Sequence, residues 1–236
     1  KIKIIKKFIK KKKLDVFISD YYDFSEQNKK EIRNNVNSFV VIDDHINKKH
    51  FCDIYINNNF MSNKVKNKIK HLNPSSVLLL GNKYFIHNLK FLNSNIKKKF
   101  RQKIKKIYVF FGSTDRSKET LKFIKSIQDF NNVKFNVLVE KLNKNYKKIK
   151  DYCKKNKNIK IFYNLTNNKT IRLMQKNDLY FGAGGVNLSE SLFLGIPSIV
   201  ICTAKNQQDA LKALTEKKII HYLGKNSDVN SLVIKK

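Results

Sequence analysis

Leu179-Tyr180-Phe181-Gly182-Ala183-Gly184-Gly185, continuing into Val186-Asn187-Leu188-Ser189-Glu190, is the stretch whose reading decides the fold. A short apolar strand, 179–181, runs into three of the chain's seven glycines, and a helix-like pattern leaves them. Glycines there let the backbone turn sharply and approach a ligand. The start of the helix that follows offers unpaired N–H groups and a positive dipole end to an anion. Glu190 falls about one turn into that helix, where a carboxylate can accept from vicinal hydroxyls. Gly195-Ile196-Pro197 leads into a second apolar strand, 198–202. Asn206 and Gln207 follow at its carboxyl end, where open α/β sheets place ligands. A Gly-Ala-Gly-Gly turn alone is often only a tight connection. The added Glu190, Gly195-Ile196-Pro197 and Asn206-Gln207 make the stretch more specific than any of its pieces.

Outward from this centre, strand-like runs alternate with helical patterns. In the second half, strands are expected at 107–111, 133–139, 159–162 and 219–223, and helices at 118–130, 146–155, 170–176 and 209–217. Gly112-Ser113-Thr114-Asp115 reads as the turn after the first of these strands. In the first half, strands are expected at 14–20, 39–42, 54–57 and 77–81, with a loop and helix at 21–35. Apolar runs without alternation suit parallel sheets buried on both faces. Repeated β-α units predict an α/β chain of doubly wound Rossmann-like sheets with right-handed crossovers. The charged, glycine-free connector at 97–106 divides the chain into domains 1–101 and 102–236. Two such domains are expected to face a cleft, a common place for a ligand.

Formal net charge is +32, from 50 Lys+Arg against 18 Asp+Glu. A basic chain can bind nucleic acid or an anionic membrane. Here the lysines are spread along the entire chain, and arginine, the better reader of phosphates and bases, is scarce. A general Lys/Asn/Ile/Phe residue bias accounts for the charge, and no nucleic-acid partner is expected. Cys52, Cys153 and Cys202 have no metal-like spacing, and their odd number fits a reduced, cytoplasmic protein. Cys202 reads as a core residue. No apolar run is long enough to span a membrane. The opening residues 1–13 are basic and partly apolar but do not read as a signal peptide. The chain lacks an initiating Met and is expected to begin inside a longer reading frame. Asp43-Asp44 could be a metal site or carboxylate pair. Adjacent strand residues point to opposite faces, which favours a strand-end cap and turn.

The central stretch resembles the nucleotide-sugar half of GT-B glycosyltransferases. Further motifs occur in one order: Ser19-Asp20-Tyr21-Tyr22, Val41-Ile42-Asp43-Asp44, His50-Phe51-Cys52-Asp53, Leu79-Leu80-Gly81-Asn82-Lys83-Tyr84 and Phe110-Phe111-Gly112-Ser113-Thr114-Asp115. Together they resemble the UDP-2,4-diacetamido-2,4,6-trideoxy-β-L-altropyranose hydrolases of pseudaminic acid biosynthesis. The resemblance implies a GT-B-like fold with an incomplete first domain. The activity it implies is release of UDP by inverting attack of water at the anomeric carbon, with no metal and no cofactor. UDP-sugar and water are the implied partners, and a monomer is favoured. Gly182, Ala183, Gly184, Gly185 and Val186 would meet the diphosphate and Glu190 the ribose. Asn206 and Gln207 would reach phosphate or sugar. Gly112, Ser113 and Thr114 would line the opposite wall. Tyr22 and Asn206 would be the catalytic pair.

The chain also departs from that family. The family's Gly-rich turn bearing a base-like His is absent, since the chain starts about one β-α-β unit into the first domain. His45 and His50 do not occupy that motif position, so neither is expected to be the base, and weak or no turnover is expected. The family's Gly-Gly-Ser-Asp-Pro appears as Gly112-Ser113-Thr114-Asp115-Arg116, and its Ser/Thr after the last central glycine as Val186-Asn187. A GT-B UDP-sugar-dependent glycosyltransferase is the alternative, and a basic nucleic-acid-binding protein a second one.

Overall fold

In the computed structural model, residues 2–93 and 103–235 are described. The backbone divides into two units, 1–86 and 87–236. The boundary read from sequence, between 101 and 102, lies outside the described residues.

The first unit runs α1 (Ile2–Lys12), β1 (Val16–Ser19), α2 (Glu26–Arg33), β2 (Ser38–Ile42), β3 (Ile54–Asn57), α3 (Asn63–Leu72) and β4 (Val77–Leu80). Its four strands are parallel and lie in the order β1-β2-β3-β4. Serines start two of the helices: Ser25 Oγ accepts from Asn28 N–H at 3.2 Å and Ser62 Oγ from Val65 N–H at 3.3 Å. Each satisfies a backbone donor that a helix start leaves unpaired. Phe39, Val41, Tyr55, Ile32 and Ile69 form the core. Residues 2–12, read from sequence only as basic, partly apolar and not a signal peptide, form a helix that buries Ile9 against this core. Ile2, Ile5 and Ile9 share one helical face, flanked by Lys6, which pairs with Glu31 of α2. Helix α3 was not expected either. The edge strands also differ from expectation, since Val16, Ile18 and Val77 are exposed. Only the inner strands have both faces covered.

The second unit runs α4 (Leu89–Leu92), β5 (Lys106–Phe110), α5 (Glu119–Ser126), β6 (Lys134–Val139), α6 (Tyr146–Cys153), β7 (Ile159–Tyr163), α7 (Asn167–Gln175), β8 (Leu179–Ala183), α8 (Val186–Phe193), β9 (Ser198–Cys202), α9 (Gln208–Glu216), β10 (His221–Lys225) and α10 (Ser231–Lys235). All six strands are parallel, in the order β10-β9-β8-β5-β6-β7. The chain therefore winds outward from β5 through β6 and β7, then returns to β8 and winds the other way. This reversal makes the gap between the carboxyl ends of β5 and β8 a topological switch point, where open α/β sheets bind ligands. Every residue of β8 is buried, as a central parallel strand requires. Asp178 ties the starts of the two strands, its Oδ2 accepting from Lys105 N–H and Lys106 N–H at 2.9 Å each. Helix α5 stops at Ser126 rather than 130, but Ile127 and Phe130 still pack on the core. Among the described residues no helix is long and apolar enough to cross a membrane. All three cysteines are buried and free.

Candidate functional site

At the switch point of the second unit lies a cavity of about 670 Å³, within the size range of small-molecule sites. Two loops build it. The first follows β5 and carries Gly112, Ser113, Thr114, Asp115 and Arg116. Gly112 has φ +98°, a conformation that favours glycine. Asp115 is buried, and its carboxylate caps α5: Oδ1 accepts from Glu119 N–H at 2.8 Å and Oδ2 from Thr120 N–H at 3.1 Å. Burial pushes the Asp115 carboxyl up, against those hydrogen bonds. With Asp115 fixed to the helix, the short segment before it is held in place.

The second loop follows β8. Gly182 and Gly184 do not line the cavity. A Cβ on Gly182 would stand 2.0 Å from Phe110 O and 2.5 Å from the Tyr180 hydroxyl, and one on Gly184 would stand 2.7 Å from the Leu211 methyls. These glycines let β8 sit against β5 and let α9 approach the turn. Ala183, Gly185 and Val186 do line the cavity. Gly185 is the N-cap of α8; no side chain caps this helix, and no acidic residue lies in its first turn. Its leading N–H groups and positive dipole end face the cavity wall, the arrangement that holds phosphates.

Glu190 lies one turn further on and also lines the cavity. Burial raises its carboxyl to about 7. The nearby hydroxyls are committed elsewhere. Tyr108 donates to Asn187 Oδ1 at 2.6 Å, and the Tyr180 hydroxyl sits between Phe110 O and Ala183 O at 3.0 and 2.8 Å. Gln207 lines the cavity with its Oε1 held by Thr203 N–H at 2.9 Å. That contact fixes the orientation of the amide and leaves its NH2 group beside Gly185. Asn206, in the short turn Lys205–Gln207, is exposed and is not among the lining residues. Arg116, noted from sequence only as a departure from the family's motif, lines the cavity as well, as do Glu140, Tyr180 and Thr203, which were not named as site residues. The signal available for Glu140 and Thr203 was position, since each directly follows a strand, β6 and β9.

Tyr22, expected to be catalytic, lies in the first unit. Its ring meets that of His45 edge to face, with centroids 4.8 Å apart. Burial, reinforced by the Asp44 carboxylate, raises its hydroxyl to about 12. The Asp43-Asp44 argument from strand geometry needs correcting. Strand β2 ends at Ile42, so both aspartates are loop residues, and their carboxylates converge with the His45 ring within 4.8 Å. The histidine nitrogen facing them, Nδ1, is 2.7 Å from Asp43 Oδ1. That is hydrogen-bond geometry, with the carboxylate accepting. Asp43 Oδ1 also accepts from His45 N–H at 2.8 Å, closing an Asx turn.

No family model matches the chain. Uncharacterized protein MJ1062 of Methanocaldococcus jannaschii is 30% identical over 216 residues, covering 87% of this chain and 44% of its own length. The chain thus spans less than half of that relative. Among solved structures, Acinetobacter baumannii MurG superposes with TM-score 0.65 at 10% identity, over 99% of this chain and 66% of that one. Arabidopsis thaliana UGT89C1, complexed with UDP-L-rhamnose, superposes with TM-score 0.60 at 11% identity, over 89% of this chain and 60% of that one. Both are GT-B glycosyltransferases. At such identities the likeness concerns the fold, and the chain has the α/β, GT-B-like fold of these structures.

Proposed function

We propose that the second unit binds the nucleotide of a UDP-sugar and that the chain transfers the sugar to a hydroxyl group, as a GT-B glycosyltransferase does. The observation that carries this reading is the convergence of the uncapped α8 start and the Glu190 carboxyl on one cavity at the β5/β8 switch point. Each answers one part of UDP. Leading N–H groups of α8, with the Ser113-Thr114 loop and Arg116, neutralise the diphosphate. Glu190 accepts from the ribose hydroxyls, and the Gln207 amide donates to phosphate or sugar. The bond to break joins the anomeric carbon to the diphosphate oxygen. Its transition state is oxocarbenium-like, and stabilising the departing UDP is the protein's larger task. UGT89C1, with its bound UDP-L-rhamnose, supports the nucleotide assignment.

A second reading differs only in the nucleophile. The ordered motif set of the first half, with Tyr22, favours water and hence release of a free 2,4-diacetamido-2,4,6-trideoxy sugar, the reaction of pseudaminic acid biosynthesis. UDP titration of the chain and its Glu190→Ala variant tests the shared part. The variant is expected to bind UDP several-fold or more weakly, and equal affinity would remove the nucleotide assignment. UDP release from a UDP-diacetamido sugar without an acceptor would then select hydrolysis, and release only with an acceptor would select transfer.

A further inference from the structure

The second unit holds another cavity, of about 510 Å³, between α7 and the sheet. Strands β5, β6 and β7 supply one wall. Lys106 and Lys134 are side-by-side partners on adjacent strands, as are Asn136 and Lys160. Alternation along a strand puts Lys134 on one face with Asn136, and Lys160 with Phe162. Helix α7 supplies the other wall. Lys169, Arg172, Leu173 and Lys176 recur at helical spacing on one of its sides, and all four line the cavity. A pair of asparagines ties the walls together. Asn136 Nδ2 donates to Asn177 Oδ1 at 2.8 Å, and Asn177 Nδ2 donates to Leu173 O at 2.6 Å. The floor is apolar, with Leu173 buried and Phe162 and Leu165 half-buried.

Six of the ten lining residues are cations: Lys106, Lys134, Lys160, Lys169, Arg172 and Lys176. The whole chain has 50 in 236, so a general lysine bias does not account for this concentration. Among the described residues no carboxylate lines the groove, and none of the six cations forms an ion pair. Asp178, two residues past Lys176, gives its Oδ2 to the backbone N–H groups of Lys105 and Lys106 and is not part of the lining. Arg172 and Lys176 suit the negative end of α7. The strand lysines have no such reason to be there, and like charges side by side on neighbouring strands cost stability. A multivalent anion in the groove turns that repulsion into attraction, and the apolar floor strengthens it by lowering the local dielectric.

We propose that this groove is a second anion site, for a small molecule that carries a chain of phosphates such as a triphosphate. It shares only Leu165 with the cavity assigned to UDP and does not depend on that assignment. Size selects the class of ligand. The volume is that of a small-molecule site. The cations of α7, from Lys169 to Lys176, span about 10 Å at the helical rise. That is the reach of a few linked phosphates, not of the track of roughly 4–16 nucleotides that a single-strand binder needs. Lysines meet phosphate oxygens as mobile point charges, and Arg172 adds a planar fork that can hold two oxygens of one phosphate.

The test is an NMR titration of the chain with inorganic tripolyphosphate at about 0.15 M salt, where distant surface charges are largely screened. Saturable shifts are expected at the Leu173 methyls and the Arg172 side-chain N–H. The double variant Lys134→Gln/Arg172→Gln should weaken the binding read at Leu173 at least about tenfold. Lys147→Gln/Lys148→Gln removes the same charge from α6, whose Ile149 packs with Phe135 on the opposite face of the sheet. That control should stay within about threefold of wild type. All four substituted side chains are exposed, so neither variant disturbs the core. Equal weakening by the two variants overturns the proposal, since it leaves only diffuse charge. So do shifts confined to the Gly185 and Val186 amides, or shifts at Leu173 that never saturate. Single-stranded oligothymidylate of about twelve nucleotides that displaces tripolyphosphate and binds at least about tenfold tighter would overturn the small-anion class in favour of nucleic acid. Failure of the chain to bind UDP would leave each of these readouts standing.

Discussion

Gly182 and Gly112 are both glycines for a reason, but the reasons differ. At Gly182 a methyl would collide with backbone, 2.0 Å from Phe110 O. Gly112 has open space around it and is constrained only by its positive φ. We predict that Gly182→Ala costs about 3 kcal/mol or more, as forced overpacking against an immobile strand does. Gly112→Ala should cost about 1 kcal/mol from backbone strain. Urea unfolding of the two variants checks the order, and an equal loss would contradict it. Glu190 gives a prediction in pH. Its folded carboxyl, raised to about 7 by burial, lies above the unfolded value of about 4.3. The folded state therefore holds the proton more tightly. Its penalty is absent below the unfolded value, grows as pH rises, and is complete above about 7. Glu190→Gln should raise the Tm at about pH 8 and approach wild type at or below about pH 4. A Tm difference independent of pH would show that burial does not act on this group. The sequence disclosed Glu190 because one helical turn past a glycine corner is a fixed place. It did not disclose that Gly182 and Gly184 serve packing, because their opposing atoms, Phe110 O and the Leu211 methyls, come from distant parts of the chain.

At the scale of elements, strand-turn-helix units were legible where apolar runs were uninterrupted. Strands β2, β3 and β9 fall where their Val/Ile/Phe/Tyr runs place them. Helix α1 was not recognised because lysines break its apolar run, although Ile2, Ile5 and Ile9 recur at helical spacing. Its contribution is measurable. Ile9 is 1% exposed within the core of the first unit, so Ile9→Ala should lower unfolding free energy by about 3 kcal/mol. The Lys6-Glu31 ion pair that joins α1 to α2 is part-exposed, and Lys6→Ala should change stability by less than about 1 kcal/mol. Near-equal effects of the two substitutions on the denaturation midpoint would contradict the packing account. The β2-β3 loop was the least legible element. Its Asp43-Asp44 pair read as a strand-end cap and turn, and only the fold brings Lys29, from α2, against His50.

At the scale of the whole molecule, charge and site have separate roles. A net +32 raises the local concentration of any anion and is screened by salt. Chemical recognition depends instead on where the strand order of the second sheet reverses. UDP titration followed by backbone amide shifts separates the two most directly. The account predicts saturable shifts at Gly112, Ser113, Gly185, Val186 and Asn187, persisting at about 0.5 M salt, where the Debye length is only a few ångströms. Shifts scattered over surface lysines and abolished by that salt, with the Gly185 and Val186 amides unmoved, would contradict it.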